Sequence, residues 1–135
     1  MWPQLKEQQK SIICINQKLP VKFIEQMWPQ LNEYQRSTLC VYQKLSMKFI
    51  EKIWNDLDKG QRNLICMCQS LSLNFIKKIW NKSTIQQHTL ICQYQELSIE
   101  VIKKIWNTLT ENQRKYIQNK DPLTKFVTYG LDKRK

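Results

Sequence analysis

The side chains in this sequence that could do chemistry stand in columns. Five cysteines could hold a metal or form disulfides, and four of them, Cys14, Cys40, Cys66 and Cys92, follow one another at intervals of 26 residues. Five tryptophans, Trp2, Trp28, Trp54, Trp80 and Trp106, keep the same interval, as would a row of rings for stacking nucleic-acid bases. Seven residues after each Trp stands an amide, Gln9, Gln35, Gln61, Gln87 or Gln113. Beside it is a cation or its stand-in: Lys10, Arg36, Arg62, His88 or Arg114. Lys52, Lys78 and Lys104 form a second cationic column, doubled by Lys77 and Lys103. Cations at a fixed pitch can follow a phosphate backbone, and a formal net charge of +11 steers encounter with polyanions.

Most of these columns have a structural reading that competes with the chemical one. Cysteines one helix apart in a stack lie about 8–10 Å from each other, whereas a disulfide needs Cα atoms within about 7 Å. There is no C-x-x-C and no second histidine to complete a metal site, so the cysteines are expected to be reduced and buried, with no metal and no cofactor. Each Trp continues an apolar stripe, in the central copy Phe49, Ile50, Ile53 and Trp54, which makes core packing the expected role of Trp28, Trp54, Trp80, Trp106, Phe49 and Phe75. The Gln column follows Asn32, Asp58, Thr84 and Thr110 by three residues, the spacing of a capping box, with only Lys6 failing to supply the cap. A lone His88, scattered carboxylates and no glycine-rich phosphate loop offer no catalytic constellation, and no enzyme is expected. The candidate functional residues left over are the basic ones: Arg36, Arg62, Arg114, Lys52, Lys78 and Lys104.

The elements that position these columns are two short helices per 26 residues. Helix A of the central copy is expected over Met47–Trp54, opened by Ser46 and a Leu45–Ile50 staple, with Ser72, Ser98 and Thr124 as the corresponding caps elsewhere and Pro20 in the first copy. It is stopped by Pro3, Pro29, or Asn55, Asn81 and Asn107, asparagine because it tolerates the left-handed conformation of a helix end. After a loop, helix B is expected over Lys59–Gln69, burying Leu64, Ile65 and Cys68, with Leu57 at its start. Where the fourth copy has Ser83 in place of this leucine, Ile85 is expected to take over the burial. Isolated helices of such length are marginal in water, so packing between pairs must hold them.

The fold class expected is therefore all-α, short tandem helical hairpins of 26 residues stacked as an α-solenoid. One repeat domain covers residues 1–135, with units 2–27, 28–53, 54–79, 80–105 and 106–122 and a C-terminal cap over 123–135, where Leu123, Thr124 and Phe126 resemble a degenerate helix A. Met1 sits in the column of Met27, Ile53, Ile79 and Ile105, so the first copy lacks its helix A and the N-terminal end of the array is open to self-association. Two glycines and four prolines leave little material for hairpins, and there is no signal peptide and no apolar run long enough for a membrane span. A soluble intracellular protein without a membrane partner is expected.

The phrase QKLSMKFIEKI from Gln43 to Ile53 returns as QSLSLNFIKKI from Gln69 and QELSIEVIKKI from Gln95. It resembles the Q-x-L-S-x-x-F-I repeats of proteins encoded by giant DNA viruses such as the mimivirus group. The resemblance implies a repeat protein, in the host cytoplasm if viral, and implies no mechanism. On the residues themselves, the function expected is a non-enzymatic scaffold for a protein partner. The alternative is a basic solenoid binding nucleic acid or another polyanion through the Arg and Lys ladders.

Overall fold

The computed structural model describes residues 2–120 and 122–132, and among these every regular element is helical. The chain divides into two compact units, residues 1–69 and 70–135. The first holds α1 (Glu7–Asn16), α2 (Val21–Met27), α3 (Glu33–Tyr42), α4 (Met47–Ile53) and α5 (Lys59–Cys68). The second holds α6 (Leu73–Trp80), α7 (Ile85–Tyr94), α8 (Ile99–Ile105), α9 (Glu111–Lys120) and α10 (Pro122–Asp132). No described helix is long and apolar enough to cross a membrane.

The helix starts follow the cap chemistry. Asn32, Asp58 and Thr84 each accept from the backbone N–H of the Gln three residues on, at 2.8, 2.7 and 3.1 Å, while that Gln returns its Oε1 to the N–H of the cap residue. Thr110 and Gln113 make the same exchange. At Lys6 only the return bond from Gln9 forms, because an ammonium has nothing with which to accept. Ser46, Ser72 and Ser98 cap α4, α6 and α8 through the N–H three residues on. Thr124 does not cap: α10 opens two residues earlier at Pro122, whose fixed φ suits a first helical position, and the Thr124 carbonyl accepts from Thr128 inside the helix.

The helix ends differ from the expectation. No described residue has a positive φ, so asparagine is not used as a left-handed stop. Instead α2, α4 and α8 run straight into a 3-10 turn, Trp28–Gln30, Trp54–Asp56 and Trp106–Thr108, closed by the N–H of Leu31, Leu57 or Leu109 on the Trp carbonyl. These leucines are buried. Ser83 departs from them: its hydroxyl donates to the Ile79 carbonyl at 2.7 Å and ends α6 locally. Ile85 does not replace the missing leucine, being 72% exposed, the most exposed of the large apolar side chains described. It occupies the first position of α7, where Glu7, Glu33, Lys59 and Glu111 stand in the corresponding helices and point outward.

Within the first unit α3 packs against both α1 and α5; within the second, α7 packs against α9, and α10 against α9 and α8. Trp28, Trp54, Trp80, Trp106, Phe49 and Phe75 are all buried, with Trp28 edge-on to Phe49 at 5.4 Å. In α5 the inward stripe is Gln61, Ile65 and Cys66, continued by Gln69 just past the helix end. Leu64 is half-buried and Cys68 exposed, because they fall one helical flank behind that stripe. Leu123 and Phe126 of the expected degenerate helix A fall within α10, while Met1 and residues 133–135 lie outside the described residues.

Candidate interaction surface

Two buried glutamine columns, one unremarked in the sequence reading, tie the helix layers together. Gln43 accepts from the Leu19 N–H at 3.0 Å and donates to the carbonyls of Cys14 (2.9 Å) and Gln17 (2.5 Å). Twenty-six residues on, Gln69 accepts from Leu45 at 3.0 Å and donates to Cys40 (2.9 Å) and Gln43 (2.6 Å). Each amide thus claims two carbonyls at the C-terminal end of α1 or α3, together with the N–H of the third residue beyond that helix. In the second unit Gln95 accepts from Leu71 at 2.9 Å, and the amine of Lys120 donates to the Gln95 carbonyl. Burial lowers the Lys120 pKa against the opposing pull of Cys92 and Glu96. The signal was visible in the 26-residue recurrence of Gln17, Gln43, Gln69 and Gln95, but no helix-local motif explains those residues.

The capping glutamines have a second task as well. Gln35 Nε2 donates to Glu7 Oε2 and Gln61 Nε2 to Glu33 Oε2, both at 2.8 Å. Where Ile85 removes the carboxylate, Gln113 Nε2 turns to Thr89 Oγ1 at 2.9 Å and to the Ile85 carbonyl.

The arginines expected to meet a polyanion have partners inside the fold. Arg36, Arg62 and Arg114 each donate through Nε to the carbonyl of Trp28, Trp54 or Trp106 at 3.0–3.2 Å, and each guanidinium lies over that same indole at 5.1–5.4 Å. Lys10 lies over Trp2 in the same way at 5.9 Å. His88 stacks on Trp80 with ring centroids 3.8 Å apart, and its Nε2 stands 2.7 Å from the Trp80 carbonyl, so that nitrogen carries the proton. One device recurs at Trp28, Trp54, Trp80 and Trp106: a planar or cationic side chain covers the indole face and satisfies the Trp carbonyl at the end of helix A.

The lysines are a different population. Lys52, Lys78 and Lys104 are exposed, as are Lys77 and Lys103. Lys104 and Lys77 share the carboxylate of Glu100 at 3.8 and 4.0 Å, on a groove whose walls include Trp80, Asn81 and Val101. The structure thus gives the six basic residues two kinds of surroundings: Arg36, Arg62 and Arg114 on indoles, Lys52, Lys78 and Lys104 in solvent.

The thiols are free, and among the described residues no three metal-ligating side chains come together. Burial pushes the thiols of Cys40, Cys66 and Cys92 up to about 12. Such sulfurs are poor nucleophiles and poor metal ligands.

What the first unit does present to solvent is an apolar face on its three packed B-type helices. Helical spacing puts Tyr34, Thr38, Val41 and Tyr42 on one side of α3, with Ile12 and Ile15 in the corresponding positions of α1 and Leu64, Met67 and Cys68 in those of α5. Tyr34 and Tyr42 are 64% and 60% exposed, and Ile12, Ile15, Met67 and Cys68 are exposed beside them. The same positions of α7 and α9 are more polar, with Gln86, Gln93, Asn112 and Asn119 among them.

No protein-family model, curated protein or solved structure matches this chain.

Proposed function

We propose that the chain is a non-enzymatic helical-repeat scaffold that binds another protein through the α1–α3–α5 face, its 26-residue helix pairs stacking as an α-solenoid. The observation that carries this reading is the exposure of Tyr34 and Tyr42 on one side of α3, flanked by exposed aliphatic side chains of the neighbouring helices. Tyrosine offers a large rigid contact with a polar tip at little entropic cost, and it is enriched at protein interfaces while being costly to leave idle in a cluster.

The double variant Tyr34→Ala/Tyr42→Ala tests it. Neither side chain contributes to the core, so thermal unfolding should move by no more than about 0.5 kcal/mol. Proteins retained from nuclease-treated cell extract by the parent should be lost from the variant. If parent and variant retain the same set, the α3 face is not the binding surface.

A second reading, polyanion binding, is favoured by the exposed Lys77, Lys78, Lys82, Lys103 and Lys104 of the second unit. It rests on lysines and not on the arginine column, whose donors are engaged with tryptophan carbonyls.

A further inference from the structure

One flank of α1 and α2 in the first unit is only partly covered. Leu31, Leu39, Leu45 and Phe49 are buried, whereas the residues 26 positions earlier, Leu5, Ile13, Leu19 and Phe23, are half-buried. With Trp2, Gln17 and Lys18 they line a groove of about 350 Å³. Trp2 is itself buried, yet its indole Nε1–H has no hydrogen-bond partner among the described residues. A buried donor without an acceptor is costly, and here it belongs to a side chain that lines the groove. Gln17 is exposed, with no side-chain hydrogen bond among the described residues.

The same residue types act one register further on. Gln43 and Gln69 clasp the end of the preceding helix, taking two terminal carbonyls and one N–H. Lys120 shows a lysine ammonium doing part of this work at the end of α7. A helix C-terminus carries unsatisfied carbonyls and a partial negative charge, which an amide donor and a cation both suit. Gln17 and Lys18 stand together at the groove with that pair of functions.

We propose that the groove of Trp2, Leu5, Ile13, Gln17, Leu19 and Phe23 binds the C-terminal end of an amphipathic α-helix supplied by another polypeptide. Gln17 takes that helix's last carbonyls and the N–H of the third residue beyond it, as Gln43 does with α1. Lys18 sits at the negative end of the helix dipole, and the apolar residues receive its buried stripe. This surface is separate from the tyrosine face, so either proposal can fail alone.

The test is a titration of the full chain with a fluorescein-labelled synthetic peptide of residues 7–27, whose helix end is the one that Gln43 clasps within the chain. Saturable 1:1 binding is expected, weakened about tenfold by Gln17→Ala, in keeping with the loss of hydrogen bonds to helix-end groups. Ile13→Asp should abolish it, and Lys18→Gln should reduce it more at low salt than at high salt. Because Gln17 and Lys18 are exposed, those variants should keep the melting temperature of the parent. Absence of saturable binding up to about 1 mM peptide overturns the proposal. So does binding that responds to Gln43→Ala but not to Gln17→Ala, since the peptide would then have displaced α1. A dimer of the chain alone, lost in Gln17→Ala and unaffected by peptide, overturns it in favour of a second copy as the occupant.

Discussion

Cys66 and Cys68 lie two residues apart on one helix and have opposite fates: the first is buried, the second exposed. Burial raises the pKa of all five thiols, of Cys40, Cys66 and Cys92 up to about 12, but Cys68 is the exposed one, so it should react first with an aromatic disulfide at pH 8. One fast equivalent is expected, with the remaining four released only on unfolding; Cys68→Ser should remove the fast phase and leave the slow one. The thiols of Cys40, Cys66 and Cys92 bear on alkaline stability. Unfolded, they ionise near the ordinary value of 9.0; folded, they stay protonated to about 12. Their contribution is therefore fully present below about pH 9 and is lost as pH rises from 9 toward 12. Urea midpoints measured at pH 8 and pH 10.5 should fall less in Cys66→Ala than in the parent.

At the scale of the element, helices of seven to eleven residues do not stand alone in water. Apolar stripes hold them in register, and the buried glutamines hold their ends. Replacing Gln43 by Ala strands the buried Cys14 carbonyl and leaves the partly buried Gln17 carbonyl and Leu19 N–H without their amide partner, and should cost about 2 kcal/mol in urea unfolding. Gln17 is the same residue type in the same column, but its side chain is exposed, so Gln17→Ala should cost no more than about 0.5 kcal/mol. Equal losses in the two variants would show that the clasp is not what makes Gln43 valuable. The 3-10 turns after α2, α4 and α8 belong to this scale too. They present the Trp carbonyl to the Arg of the next helix, so the turn, the indole and the guanidinium form one structural device.

For the whole molecule the governing quantity is the net charge of +11, and the two basic columns are separable by experiment. If the chain binds nucleic acid, replacing Lys52, Lys78 and Lys104 together by Gln should flatten the salt dependence of affinity by roughly two to three units of slope, since each phosphate contact contributes a little under one. The melting temperature should hardly move, because exposed cations contribute little to stability. Replacing Arg36, Arg62 and Arg114 by Gln should do the reverse and lower stability by about 1 kcal/mol per site, through lost indole contacts and carbonyl bonds. A parent protein that binds neither RNA nor DNA at about 50 mM salt would retire the polyanion reading.

The sequence by itself determined the helical class, the helix starts that carry a cap and most of the inward columns, because these follow from short-range rules: cap residues three positions before an amide, and apolar side chains spaced at three and four. Asn32, Asp58 and Thr84 could do little else so close to a Gln. Long-range contacts decided the rest. Nothing local distinguishes Gln43 from a surface glutamine until α1 is packed against α3 and brings two orphan carbonyls within reach of its amide. Arg36 reads as a free cation until the 3-10 turn aims the Trp28 carbonyl at it. Ile85 reads as a core residue by hydrophobicity, but its place at the first position of α7 faces it away from the packed side. The sequence carried what a residue can do with neighbours three or four positions away; which distant backbone group a side chain meets was decided only when the helix layers came together.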